Sequence, residues 1–278
     1  MSKFTKLTGW ATLPVVLMAS SLCLAQAPRP EPVTDQETEI GQAVYAELRD
    51  NGEIIQSSPL YARLNPIAAA VARAAQPRYL HPFKFILVHE AQPNAFSVPG
   101  GDVYVTDSLL YFVKNTEELS GTLCHEVSHT IHRDAVTRMR EDERIVGREL
   151  AVAILLGPTL AQMIAIQMIG DLHSLAYSRD IESSADLTGS DICAAAGYNP
   201  WGLVWLFRQF QNDDPNQLPQ LLSDHPANGV REETLETHFR DNPSVFSRFN
   251  PDPGSAAPFS VPKNAPEQLL PPEANDAG

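Results

Sequence analysis

Basic residues and cysteines are scarce in this sequence, and both shortages limit what the protein does. Of 278 residues, 20 are Lys or Arg and 34 are Asp or Glu, which gives a formal net charge of −14. Nucleic acids and anionic lipids bind clustered cations, so neither is expected as the main partner. The cysteines form no zinc-type cluster, and after Cys23 only Cys124 and Cys193 remain, either as one disulfide or as two buried thiols.

The remaining composition is typical of a folded, soluble protein. Hydrophobic residues make up 43% of the chain and charged residues 19%, which excludes a disordered or coiled-coil chain. No internal repeat is present, so an appended solenoid is excluded as well. The length fits one large domain or two small ones.

The first 25 residues have the pattern of an export signal. Lys3 and Lys6 give a basic start, residues 13–24 are apolar, and Cys23 and Ala25 are small residues at the positions read by signal peptidase. This pattern predicts an exported protein, in a periplasm, with residues 1–25 as the signal peptide. An uncleaved membrane anchor is the alternative that the sequence leaves open.

The opposite end is rich in Pro, Ala, Asn and Ser. Such a segment buries too little apolar surface to offset the entropy of ordering it. We therefore expect residues 251–278 to form a flexible tail and residues 35–250 to form the main domain.

Within the main domain, strand patterns come early and helical patterns follow. Helical spacing of apolar residues covers residues 35–48 and 60–75, strands are predicted at 83–88, 95–98 and 103–106, and a tight turn at 99–101. A helix over 116–132 opens with Thr116 as its expected cap. This order indicates an α+β domain.

The predicted helix over 116–132 contains the pattern H-E-x-x-H, from His125 to His129. Residues four apart share one helix face, so both imidazoles reach one zinc ion while Glu126 stands beside it to accept a proton from a water molecule. The bland alternative is a pair of surface histidines that flank a salt-bridged Glu. His132 lies too far along the helix to bind the same ion, since seven residues rise about 10.5 Å.

A second helical segment supplies a third ligand. Glu182 and Asp186 are four residues apart and share a face, so Glu182 can bind the metal while Asp186 accepts a hydrogen bond from a ligating His. The E-x-x-x-D pattern alone is weak and usually marks a solvated face. Its weight comes from following H-E-x-x-H along the chain.

Four motifs together resemble the zinc metallopeptidase family that includes HtpX, BepA and the CaaX prenyl proteases. They are residues 94–101 (NAFSVPGG), His125–His129 with Arg133, the segment 182–186, and residues 223–226 (SDHP) with Arg231. The resemblance covers roughly residues 35–239. One departure is Asp134, which stands where the family commonly has His after the Arg.

The resemblance implies a mainly helical minigluzincin core of the α+β class, with a small edge sheet and an active-site helix. It implies one zinc ion held by His125, His129 and Glu182, and it implies that Glu126 is the catalytic acid and base. The segment Asn94, Ala95 and Phe96 resembles an edge strand that binds peptide substrate through its backbone. An ordinary core strand fits that segment equally well.

His225 has several readings that the sequence leaves open. By resemblance it lies near the zinc, where it either donates to the oxyanion of the transition state or occupies the open coordination position of a resting enzyme. A loop His without function is the third reading. Arg231 is expected to support His225 by hydrogen bonding nearby.

Residues 150–170 carry no charge and are long enough to span a membrane. A single crossing there would place the ligands on either side of it on opposite faces of the bilayer. Gly157 and Pro158 also divide the stretch, so we expect two packed helices that contact a membrane surface at most.

Two functional hypotheses follow. The first is a periplasmic zinc endopeptidase that cleaves misfolded or misassembled envelope proteins. The second is a periplasmic chaperone or adaptor whose zinc site is resting or structural. A prenyl-protein protease would need several membrane spans, which this sequence lacks.

Overall fold

The computed structural model describes residues 35–138, 177–212, 225 and 229–272. The predicted signal peptide at 1–25 and the apolar stretch at 150–170 lie outside the described residues, so both stay predictions. Within the described ranges, no helix combines the length and the apolar character that crossing a membrane requires.

Helices dominate the described chain. They are α1 (Asp35–Asp50), α2 (Tyr61–Ala75), α3 (Asp107–Phe112), α4 (Thr116–His132), α5 (Arg179–Ala196), α6 (Trp201–Asn212), α7 (Gly229–Asp241) and α8 (Pro243–Phe246). Helical geometry also covers residues 134–138, and short 3₁₀ turns lie at Gln76–Arg78 and Pro253–Ser255. The strands are β1 (Ile55–Ser57), β2 (Lys84–Val88), β3 (Ala95–Ser97), β4 (Asp102–Thr106) and β5 (Gln268–Leu269). The mainly helical α+β fold predicted from the sequence is confirmed.

Strands β2, β3 and β4 form one sheet in the order β2-β4-β3. Strand β4 is buried throughout and pairs in parallel with β2 and antiparallel with β3, which places β3 at an edge. The turn that joins β3 and β4 requires Gly100 and Gly101, whose φ angles of 96° and 97° favour residues without a Cβ.

Helix α4 lies at the centre of the fold and packs against α2, α5 and α6. Small residues permit this close packing. A Cβ added to Gly189 of α5 would lie 3.0 Å from the carbonyl oxygen of Cys124, and one added to Gly121 would lie 2.8 Å from the backbone nitrogen of Leu203. The same contact brings Cys124 and Cys193 near each other as free, buried thiols.

The expectation of a flexible tail from residue 251 is wrong for the described residues up to 272. Strand β5 pairs antiparallel with β1, and Phe259 donates its backbone N–H to the carbonyl of Lys114 at 2.7 Å. The side chains of Phe259, Val261 and Ala265 pack against the main core. Composition failed here because the segment adds a strand and apolar contacts to a core that already exists. The limits 35–250 of the main domain stay a prediction.

We predict that truncation after Pro258 lowers the free energy of unfolding by about 2–4 kcal/mol, the value expected for losing several partly buried apolar side chains. Urea unfolding followed by circular dichroism measures the change. Truncation after Pro272 is the control and should leave stability unchanged. Equal stability of both truncated chains would contradict the packing of this segment.

Candidate metal centre

The capping of helix α4 fixes where its histidines point. Asn115, rather than the expected Thr116, is the N-cap, and its side-chain oxygen accepts the backbone N–H of Glu118 at 2.8 Å. The carboxylate of Glu118 in turn accepts the side-chain N–H of Asn115 and the backbone N–H of Lys114. At the other end Arg133 adopts a left-handed conformation with φ 57°. The chain therefore turns sharply just after the H-E-x-x-H motif.

The two histidines of the motif face each other in the buried interior. Nε2 of His125 lies 3.0 Å from Nε2 of His129, and the rings are perpendicular. Both side chains are almost fully buried, at 3% and 2% exposure. This arrangement follows from their spacing of one helical turn on a helix that is buried on all sides.

A carboxylate holds the other ring nitrogen of each histidine. Nδ1 of His125 lies 3.0 Å from Oδ1 of Asp186, and Nδ1 of His129 lies 2.7 Å from Oδ2 of Asp134. With a metal ion bound, these carboxylates would keep a proton on Nδ1 of each neutral ring and leave both Nε2 lone pairs to the ion. At 3.0 Å the two Nε2 atoms share either a proton or a metal ion, because two facing lone pairs would repel.

Glu182 adds a carboxylate to the same point from the first turn of α5. Its Oε2 lies 3.4 Å from Nε2 of His125 and its Oε1 lies 3.6 Å from Nε2 of His129. Helix α5 begins here because the hydroxyl of Ser178 accepts the backbone N–H of Ile181. Glu182 is buried, and its carboxyl lies among groups that each present one ligand atom within 4.8 Å of the others.

The donor set fits a zinc ion. Two imidazole nitrogens and one carboxylate oxygen are ligands of catalytic zinc sites, and atoms that share a tetrahedral zinc ion lie about 3.3 Å apart. The distances from 3.0 to 3.6 Å among His125, His129 and Glu182 agree with that spacing. A cation bound here would remove the repulsion between the two Nε2 lone pairs.

Arg231 of α7 balances the buried acids behind the ligands. Its Nη2 and Nε bind the two oxygens of Asp186 at 2.6 and 2.7 Å, and its Nη1 lies 2.9 Å from Oε2 of Glu182. The guanidinium group also stacks over Phe207. Although burial alone would raise the pKa of Asp186, the neighbouring Arg231 holds it below the usual value.

His225 lies inside the cluster rather than beside it. Its Nδ1 is 2.9 Å from Oε1 of Glu182 and 3.2 Å from Nε2 of His125. Its Nε2 is 3.4 Å from Oε1 of Glu126, which is itself buried. Arg231 donates to the backbone carbonyl of His225 at 3.1 Å, so the expected neighbourhood of these two residues is present.

His132 lies outside the cluster. Its Nε2 lies 3.0 Å from Oγ1 of Thr188, on the neighbouring helix. His132 is therefore too far along α4 to join the ligands, and it contacts Thr188 instead.

The segment Asn94, Ala95 and Phe96 lies on the edge side of the sheet, and β3 packs against α4. Asn94 and Ala95 are buried, while the ring of Phe96 stacks on Tyr104 at 5.0 Å. A narrow cleft between β3 and the end of α4 is bordered by residues that include Pro99 and His129. The edge strand and the metal cluster therefore border one cleft.

Two residues of this site were missed as site residues by sequence reasoning. Asp134 was noticed only as a departure at a helix end, yet it contacts His129, and burial raises the pKa of its carboxyl to about 7. Tyr177 stacks on the ring of His129 at 4.5 Å between centroids. The one sequence signal for Asp134 was its departure from the resembled family. The left-handed conformation of Arg133 brings the side chain of Asp134 back to His129.

Comparison with known proteins gives a consistent assignment. The model of the family described as Peptidase family M48 matches residues 60–238. The chain is 28% identical over 205 residues to the beta-barrel assembly-enhancing protease of Yersinia pestis, a match that covers 69% of this chain and 41% of that protein. It is 26% identical over 201 residues to metalloprotease YcaL of Escherichia coli, covering 70% and 75%.

The match to a mitochondrial relative covers less of both chains. The metalloendopeptidase OMA1 of Arabidopsis thaliana is 26% identical over 153 residues, which covers 55% of this chain and 31% of OMA1. The chain thus spans about two fifths of the length of the assembly-enhancing proteases that it matches.

We predict that Arg231→Ala lowers the free energy of unfolding by about 3–5 kcal/mol, because it leaves buried carboxylates without their cation. Arg231→Lys, which keeps the charge and loses the two-pronged contact, should have an intermediate effect. Chemical denaturation measures both. A loss below ~1 kcal/mol for Arg231→Ala, the range of exposed ion pairs, would contradict this view of the buried network.

Proposed function

This chain belongs to peptidase family M48, and we propose from its buried cluster that it is a zinc-dependent endopeptidase. The observation that carries the proposal is the convergence of Nε2 of His125 and Nε2 of His129, 3.0 Å apart, beside the buried carboxylate of Glu182. These three residues are the proposed zinc ligands, with one ion per chain. Zinc in such a site polarises a scissile carbonyl and activates a water molecule.

Glu126 is the proposed general base and acid. It follows a ligand on the same helix, is buried, and has its Oε1 facing the imidazole of His225. In this role a Glu126 oxygen takes a proton from the attacking water and passes it to the nitrogen of the leaving amine. Low exposure keeps bulk water from competing for that carboxylate.

The residues behind the ligands are proposed to position them. Asp186 and Asp134 fix the tautomers of His125 and His129, and Arg231 holds Asp186 in place through two hydrogen bonds. Asp134 stands where the resembled family commonly has His, so its role is proposed from its own contact with His129.

Strand β3 is proposed as the substrate-binding edge. Among the described strands it pairs on one side only, with β4, and its last residue, Ser97, borders the cleft beside α4, directly after Asn94, Ala95 and Phe96. An extended peptide added to such an edge is bound through its backbone, with little selection for sequence. This favours unfolded or misassembled polypeptides as substrates.

The name of the Yersinia pestis relative points to β-barrel assembly, and by analogy we propose envelope proteins as substrates here. The predicted signal peptide at 1–25 agrees with a periplasmic location, with contact of residues 150–170 to a membrane surface as a further proposal.

His225 is proposed to occupy the fourth ligand position in a resting form. Its Nδ1 approaches Glu182 and His125 as closely as the ligands approach one another, and its Nε2 faces Glu126. A donor to the oxyanion would instead leave the ligand cluster open. This feature also favours the second candidate function, a chaperone or adaptor with a silent metal site.

We predict that Glu126→Gln lowers the rate of casein cleavage by about 10²–10⁴-fold, the usual contribution of a general base, while metal content stays at the wild-type value. Amide replaces carboxylate at nearly constant volume, so the fold is kept. Fluorescent casein assays and metal analysis provide the two readouts. If neither protein cuts casein and both prevent its aggregation equally, the chaperone or adaptor is the correct function.

We predict that His225→Ala retains zinc and raises the cleavage rate by up to about tenfold, the change expected when a resting form that outnumbers the open form by about ten to one is removed. His132→Ala removes a histidine outside the cluster and is the control that should leave the rate unchanged. A lower rate at full zinc content would assign His225 to the transition state instead.

A further inference from the structure

A second convergence of metal-ligating side chains lies at the carboxyl ends of β2 and β4. His89 directly follows β2, and Asp107 directly follows β4. The two strands are parallel, with Val88 opposite Thr106, so the next residues of both strands emerge side by side. The sheet register therefore brings an imidazole and a carboxylate together.

The C-terminal segment adds a third group to this pair. Glu267 immediately precedes β5, whose Leu269 pairs with Ile55 of β1. Leu270 also donates its backbone N–H to the carbonyl of Ile54 at 2.8 Å. These backbone contacts hold Glu267 against His89 although 178 residues separate the two along the chain.

The three ligand atoms lie close enough to share one ion after a small movement. Nδ1 of His89 lies 2.8 Å from Oδ2 of Asp107 and 3.1 Å from Oε2 of Glu267. Ligands with metal bonds of about 2.0–2.2 Å lie about 3.3–3.6 Å apart around a tetrahedral zinc ion, so the exposed His89 ring would move outward by less than about 1 Å to admit it. All three atoms lie within 4.8 Å of one another.

The carboxylate of Asp107 is oriented before any ion binds. Its Oδ1 accepts the backbone N–H groups of Glu90 at 3.0 Å and Ser108 at 2.8 Å, which leaves Oδ2 directed at His89. Asp107 is only 7% exposed, whereas the His89 side chain is 60% exposed. The site thus combines one fixed ligand with an open path from solvent.

Negative charge at this point lacks a full counter-charge. Across the described parts of the chain, no Lys or Arg forms an ion pair with Asp107 or Glu267, and His89 is the ion-pair partner that the two carboxylates share. A single proton on Nδ1 cannot serve two carboxylates equally well.

We propose that His89, Asp107 and Glu267 form a second, peripheral site for a divalent transition-metal ion, with zinc as the preferred class. An imidazole with two carboxylates favours zinc over calcium or magnesium, which bind sites built from oxygen alone. The ion joins residues from both sheets and so holds the C-terminal segment on the domain. This inference does not depend on the proposed peptidase activity.

Zinc titration of the full-length protein tests the proposal. Zinc chloride is added to protein freed of metal, and calorimetry measures the number of equivalents bound. The variants are His89→Gln and Glu267→Gln. The matched control is His238→Gln, which removes another His–Asp contact, between Nε2 of His238 and Oδ1 of Asp191 at 3.1 Å, with no second carboxylate on that histidine.

We expect two equivalents for the wild type and for His238→Gln, and one equivalent for His89→Gln and Glu267→Gln. The second equivalent should also raise the melting temperature of the wild type and leave that of both site variants unchanged. Cleavage of casein by the site variants should equal that of the wild type. The loss of one equivalent in both site variants relative to the wild type supports the proposal whatever the buried cluster binds, and equal numbers of equivalents in the wild type and both site variants would overturn it.

Discussion

The metal centre depends on one constraint, which is that two imidazoles on the same buried helix bring their Nε2 atoms face to face, 3.0 Å apart. Asp186 and Asp134 orient the two rings, since each lies beside Nδ1 of one of them. Helices α5 and α7 supply the charged side chains around the two rings. Glu182 brings a carboxylate to the free nitrogens, and Arg231 compensates the acids without reaching the histidines' own lone pairs.

The close packing of α4 and α5 follows from the same constraint. A ligand set drawn from two helices needs their axes near each other, and Gly189 permits that approach because any larger residue would meet the backbone of Cys124. The edge strand β3 lies on the other side of the same helix. The proposed catalytic groups, positioning network and substrate edge therefore lie around α4, a helix that is buried from Glu118 to Thr130.

Local patterns allowed much of this to be predicted. Helical periodicity placed His125 and His129 on one face, and the turn glycines correctly separated β3 from β4. Asp134 was not recognised because its role depends on a left-handed residue that reverses the chain. His89, Asp107 and Glu267 were invisible to spacing, since only the sheet register and the distant β5 bring them together. The order of the C-terminal segment was not predicted, because its composition does not reveal that β1 and the core offer it a surface on which to pack.

The most direct test of the account is the zinc content of purified protein with and without Glu182→Ala, with Asp180→Ala on the exposed part of the same helix as the control. Glu182 lies beside both free imidazole nitrogens, and Asp180 does not. The account predicts that Glu182→Ala loses one equivalent of zinc while Asp180→Ala keeps the wild-type content. Unchanged zinc in Glu182→Ala would contradict the ligand set and the peptidase mechanism built on it.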